Sequence, residues 1–196
     1  MTEKVDTGRR HFLTVATVAT GAVGAAFAAV PFLASWNPSA RAKALGAPVE
    51  VDVSKLEPGS MVKVEWRGKA IFIVHRTQEM LASLNGVADR LRDPDSNSSE
   101  QPEYARNEAR SIKPDVLVLV GVCTHLGCAP LDKFSQGDVT VEAGWPGGFF
   151  CPCHGSKFDM SGRVFKEVPS PTNLPVPPHK FVRDTRILIG TDAETV

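Results

Sequence analysis

Cys123-Thr124-His125-Leu126-Gly127-Cys128 and Cys151-Pro152-Cys153-His154-Gly155-Ser156 are the two stretches on which the reading of this chain turns. All four cysteines of the 196-residue sequence fall between positions 123 and 153, and each pair has a histidine beside it. Cysteines that only fill a core would be scattered, so this clustering points to a site. The loops offer C-x-H and C-x-x-H, a soft thiolate and an imidazole apiece. That donor set is open to zinc or to an iron–sulfur cluster. A zinc finger usually places two cysteines close together and then two histidines. Here each loop mixes the two, so the pairs can be sorted onto two metal ions, cysteines on one and histidines on the other.

Around these loops the chain reads as β structure. Val49, Val51 and Val53 alternate with Glu50 and Asp52, and Val62, Val64 and Trp66 alternate with Lys63 and Glu65. Arg67-Gly68 turns the chain into the apolar run Ala70 to Val74, and Val116 to Val122 is apolar enough for burial on both faces. Lys180 to Gly190 reads as a final hairpin or bent strand, and Thr77 predicts the cap of a short helix reaching about Leu84. Arg90 to Pro114, with Asp93-Pro94-Asp95-Ser96-Asn97, reads as a solvated surface insertion. The 22 basic and 22 acidic residues cancel. A neutral chain lacks the basic face that nucleic-acid binding needs.

The N-terminus reads as an address and an anchor. Arg9-Arg10-His11-Phe12-Leu13 resembles the twin-arginine signal that exports folded proteins across the bacterial inner membrane. No charged side chain follows from Phe12 to Trp36. A helix there reaches about 37 Å, enough to cross a ~30 Å hydrocarbon core with some tilt. A secretory h-region is shorter, about 7–15 residues, so the run is expected to be retained. Glu3, Lys4, Asp6, Arg9 and Arg10 on one side and Arg41 and Lys43 on the other give no clear positive-inside bias. The export signal therefore orients the chain. The expected organisation is an N-tail at 1–11, a transmembrane helix at 12–36, a flexible linker at 37–48 and a head at 49–196.

Taken together, the two Cys/His loops, the twin-arginine start, Pro31-Phe32-Leu33-Ala34-Ser35-Trp36, Trp66-Arg67-Gly68-Lys69, Leu91-Arg92-Asp93-Pro94 and Asn173-Leu174-Pro175-Val176-Pro177-Pro178 resemble the Rieske iron–sulfur proteins. The likeness is closest to the iron–sulfur subunits of the cytochrome bc complex, ubiquinol–cytochrome c reductase, and covers essentially the whole chain. It implies an all-β head of stacked antiparallel sheets, with a small cluster-binding subdomain at about 120–172 and one N-terminal transmembrane helix. It also implies a [2Fe-2S] cluster held by Cys123 and Cys151 on the buried iron and by His125 and His154 on the outer iron. Cys128 and Cys153 would form a disulfide between the loops, as an oxidising compartment permits. Ser156 would donate to a bridging sulfide, whereas Phe158 stands where high-potential members carry a Tyr donor. Leu126, Gly127, Ala129 and Pro130, with Val168-Pro169-Ser170-Pro171, would form an apolar tip. Leu126, Gly127, Pro169 and Pro171 would dock into a quinol pocket. Val168 departs from the Gly that usually opens this loop, and a changed loop conformation is expected there.

The implied activity is oxidation of ubiquinol, with His154 as quinol contact and proton acceptor and the electron passing on to a c-type cytochrome. The implied partners are a cytochrome b subunit and a membrane-bound c-type cytochrome subunit, in a dimeric complex of the bacterial inner membrane with the head on the periplasmic side. Three other readings stand beside it. The small Rieske subunit of a molybdenum oxidase of the arsenite oxidase type is opposed by the Leu91–Pro114 insertion and the anchor. A dioxygenase ferredoxin is opposed by the anchor and the second cysteine pair, and a structural zinc module would be colourless.

Overall fold

Asp6 begins the first element: its carboxylate accepts the N–H groups of Gly8 (3.0 Å) and Arg9 (3.1 Å), two donors a helix start leaves without partners. From this cap α1 runs Thr7–Ser35. The computed structural model describes residues 6–192, so Glu3 and Lys4 of the N-tail lie outside the described residues. The chain divides between Ala44 and Leu45 into two compact units.

At ~1.5 Å per residue α1 is about 43 Å long. It is long and apolar enough to cross a membrane, and its most apolar 18-residue stretch has mean hydropathy 1.8. Thr14 and Thr20 return their hydroxyls to the carbonyls of Arg10 (2.9 Å) and Ala16 (2.8 Å), so neither needs water. The helix starts before the expected Phe12 because the cap lies at Asp6. The segment 37–48, expected as flexible linker, contains a second helix, α2, Ala40–Leu45. Ser39 Oγ accepts the Ala42 N–H at 3.1 Å, and the residues after it are strong helix formers.

Among the described residues the head holds three three-stranded antiparallel sheets. β1 (Val49–Asp52) pairs with β9 (Arg186–Ile189), which pairs with β8 (His179–Arg183). β2 (Met61–Trp66), β3 (Lys69–His75) and β4 (Val116–Val120) form the middle sheet. β5 (Leu131–Lys133), β6 (Gly148–Cys151) and β7 (Ser156–Phe158) form the third. β3 and β4 of the middle sheet are buried on both faces, as their continuous apolar runs require, whereas β2 alternates and leaves Lys63 and Glu65 exposed. Ile71, Ile73, Val118 and Val120 pack with Trp66, Ile187 and Ile189. The alternate residues Phe72, Val74, Leu117 and Leu119 pack with Trp145, Phe149, Phe158, Cys123 and Cys151. One strand pair thus joins the scaffold core to the core beneath the site. Thr77 caps α3 (Gln78–Ala82), its hydroxyl accepting the Met80 N–H at 3.3 Å.

The segment 90–114 is not the solvated insertion its composition suggests. Leu91, Ala105, Arg110 and Ser111 are buried. The Arg110 guanidinium donates to the carbonyls of Ser161 (3.1 Å) and Leu174 (2.8 Å) and to Gln101 Oε1 (3.0 Å). Arg76, also buried, donates to the carbonyls of Ala109 (2.9 Å) and Met160 (3.1 Å) and to the Ser111 hydroxyl (2.8 Å). Burial brings both guanidinium groups down to about 10. They remain charged at neutral pH, and their fixed forks satisfy loop carbonyls that no strand could reach.

Candidate metal centre

Both site loops are the same short turn made twice. β4 ends at Val120, and the chain enters the first loop, where the Cys123 N–H donates to the Cys128 carbonyl (2.8 Å) and the Gly127 N–H to the Cys123 carbonyl (3.0 Å). β6 ends at Cys151 and β7 begins at Ser156, opposite it in register. Between them the Gly155 N–H donates to the Cys151 carbonyl at 3.0 Å. Gly127 and Gly155 take left-handed backbone angles, φ 86° and 77°, where a side chain would be strained. The repeated Cys-to-Gly spacing is therefore a backbone requirement.

Cys123 and Cys151 are unlinked and buried, 2% and 1% exposed. Burial pushes the Cys151 thiol up, and the neighbouring Cys123 thiol adds to the effect. The backbone N–H groups of Cys153 and His154 donate to the same sulfur and work against it. His125 and His154 bring their rings to 4.8 Å between centroids, edge to face at 86°. His154 is exposed and His125 half-buried. Cys128 and Cys153 are joined as a disulfide across the two loops. Cys151 Sγ lies within 4.8 Å of both disulfide sulfurs, but these have no thiolate to offer a metal. The donors left are two buried thiols and two imidazoles, one exposed and one half-buried. This set fits a [2Fe-2S] cluster with a cysteine-held inner iron and a histidine-held outer one. N–H groups aimed at the Cys151 sulfur favour its anionic, ligating form.

A third segment closes the site. The Ser170 N–H donates to Ser156 Oγ (3.2 Å), and Ser170 Oγ lies 3.1 Å from Cys123 Sγ. The Thr124 hydroxyl donates to the Thr172 carbonyl at 2.7 Å. Arg92 holds the segment from outside, donating to the carbonyls of Ser170 and Val168, both at 2.9 Å. Arg92 and Ser170 stand in stretches quoted from the sequence, but these contacts at the site are new. Their partners are a carbonyl pair and a sulfur reached through the fold, and no spacing announces such contacts. Of the residues expected at the tip, Leu126 is 71% exposed and Gly127, Ala129, Pro169 and Pro171 are exposed, while Pro130, Val168 and Ser170 are buried. Val168 is buried, and the left-handed residue of the loop is the preceding Glu167, φ 57°.

Residues 97–178 match the family model described as "Rieske [2Fe-2S] domain", and residues 1–39 match "Ubiquitinol-cytochrome C reductase Fe-S subunit TAT signal". The chain is 56% identical over 184 residues to the ubiquinol–cytochrome c reductase iron–sulfur subunit of Allochromatium vinosum, covering 94% of this chain and 89% of that one. It is 49% identical over 183 residues to the subunit of the same name from Blastochloris viridis, covering 93% and 92%. Among solved structures, a chain of "Hyperthermophilic respiratory Complex III" aligns with TM-score 0.48 at 29% identity, covering 89% of this chain and 98% of that one. Identity of this extent, running from the export signal through both Cys/His loops, leaves one conclusion: the chain belongs to the family of Rieske iron–sulfur subunits of ubiquinol–cytochrome c reductase.

Proposed function

We propose that Cys123 and Cys151 hold the inner iron, that His125 and His154 hold the outer one, and that His154 is the group that meets ubiquinol. The observation that carries this reading is the pair of imidazole rings, 4.8 Å apart, at the open end of a site whose thiols are buried. When bound, a cluster of this type supplies a one-electron acceptor, at roughly −150 to +300 mV, far above all-cysteine clusters. His154 is the more exposed imidazole, and the ring nitrogen not engaged by metal accepts the proton a quinol hydroxyl gives up. Leu126, Gly127, Pro169 and Pro171 dock the tip against an apolar quinol pocket and exclude water from that transfer. Ser156 is fully buried, and its oxygen already accepts the Ser170 N–H, which leaves its own hydrogen to donate to the cluster.

In this reading the subunit takes a direct part in quinol oxidation, between a cytochrome b subunit and a membrane-bound c-type cytochrome in a dimeric complex. The apolar α1 stays as a single-pass anchor in the bacterial inner membrane, with the head on the periplasmic side. The stretch 37–48 tethers the head and lets it travel between partners.

The test is His154→Ala, examined in dithionite-reduced membranes by EPR. One iron then lacks a protein ligand at an exposed position, and the reduced-cluster signal is expected to vanish. A variant that kept the signal would overturn the ligand assignment.

A further inference from the structure

Ser170 is tied to both halves of the site through different atoms. Its backbone N–H donates to Ser156 Oγ, and its hydroxyl lies 3.1 Å from Cys123 Sγ. Ser170 and Ser156 are fully buried and Cys123 nearly so, which keeps water from competing for that contact. The segment cannot easily swing away, because Arg92 grips the carbonyls on either side of Pro169 and Thr124 holds the carbonyl of Thr172. Between a serine hydroxyl and a free thiol, either atom can be the donor. Once Cys123 ligates a metal it has no S–H, and the shared hydrogen has to come from Ser170.

We propose that Ser170 is a positioning residue that sets the reduction potential of the centre by donating its O–H to the sulfur of Cys123. The proposal rests on the ligand set proposed above. Reduction by one electron adds negative charge that the ligand sulfurs share. A donor fixed on one of them stabilises the reduced form more than the oxidised form, and burial keeps that preference from being screened. Phe158, which leaves β7 on the same side as Ser156, has no donor to offer. The hydrogen stays on Ser170 Oγ throughout; no bond is made or broken there.

Ser170→Ala removes one oxygen and keeps the backbone donor to Ser156. In membranes carrying the full-length chain in its complex, an EPR-monitored redox titration is expected to show wild-type cluster content with a lowered potential. The one-electron equilibrium should become about fivefold less favourable to reduction, roughly 40 mV at 59 mV per tenfold. Ser170→Thr keeps the hydroxyl and should stay near the wild-type potential. After exchange into deuterium oxide, ENDOR should lose one deuteron coupling in Ser170→Ala but not in Ser170→Thr. An unshifted potential with full signal would overturn the proposal, as would an equal drop in Ser170→Thr. Loss of the cluster from Ser170→Ala would also overturn it, by making the hydroxyl a requirement for assembly. Failure of the ligand assignment is separate, since it shows as a retained signal in His154→Ala whatever the serine variants do.

Discussion

Along β7, Ser156 and Phe158 point to one side, while Lys157 turns the other way and pairs with Glu142. Phe158 therefore shares its face with a residue that bonds the Ser170 segment, and it packs in the same core as Cys123 and Cys151. Phe158→Tyr is expected to raise the reduction potential. A hydroxyl reaching a ligand sulfur binds the reduced state more strongly, and one net hydrogen bond of ~1 kcal/mol corresponds to about 40 mV for one electron. Redox titration of the variant in membranes checks this. Phe158 is fully buried, and its backbone lies opposite Phe149 in register and forms a β-bridge with Val164. If it were directed away from the sulfur, the new hydroxyl would lack a partner, and the variant would show a lower melting temperature with an unmoved potential.

The two ligand loops have little regular structure of their own, and the Cys128–Cys153 disulfide fastens one to the other. Closing a loop of 25 residues in the unfolded chain stabilises the fold by about 3–4 kcal/mol. Replacing both cysteines with alanine is expected to lower the temperature at which the cluster EPR signal is lost on heating, with the starting signal intact. At this scale the sequence was legible in places and not in others. β1, β2 and β3 show themselves at Val49 to Val53, Val62 to Trp66 and Ala70 to Val74 because alternation and continuous apolar runs follow directly from which faces are buried. β5, β6 and β7 are too short to display a period, although they carry the second loop. The positions proposed as ligands were readable as candidates because metal chemistry restricts residue type and spacing together. Arg110 and Arg92 were not, because a guanidinium bound to backbone carbonyls has partners without side-chain identity. A polar segment folded inward by such bonds looks in sequence like one left in water.

For the whole molecule, Arg9 and Arg10 stand in the first turn of α1, which carries no acidic residue beyond its Asp6 cap. Cations there oppose the helix macrodipole, so helix stability does not account for them, and recognition by the export machinery does. Arg9→Lys with Arg10→Lys keeps charge and helix propensity. It is nevertheless expected to hold the head inside the cell, resistant to protease added to spheroplasts that digests the wild-type head. Export of a folded chain also imposes a chronology on the sulfur chemistry. On the proposed reading, a cluster inserted in the reducing cytoplasm meets Cys128 and Cys153 as thiols, and their disulfide closes only after crossing. Cys151 Sγ lies within 4.8 Å of both of them. A head arriving empty would carry four neighbouring thiols into oxidising conditions, free to pair wrongly by exchange. In a loaded head the metal occupies Cys151, and a single pairing remains. On that reading a bound cofactor decides which sulfurs the oxidising compartment can join, so the order of loading and export fixes the disulfide pattern.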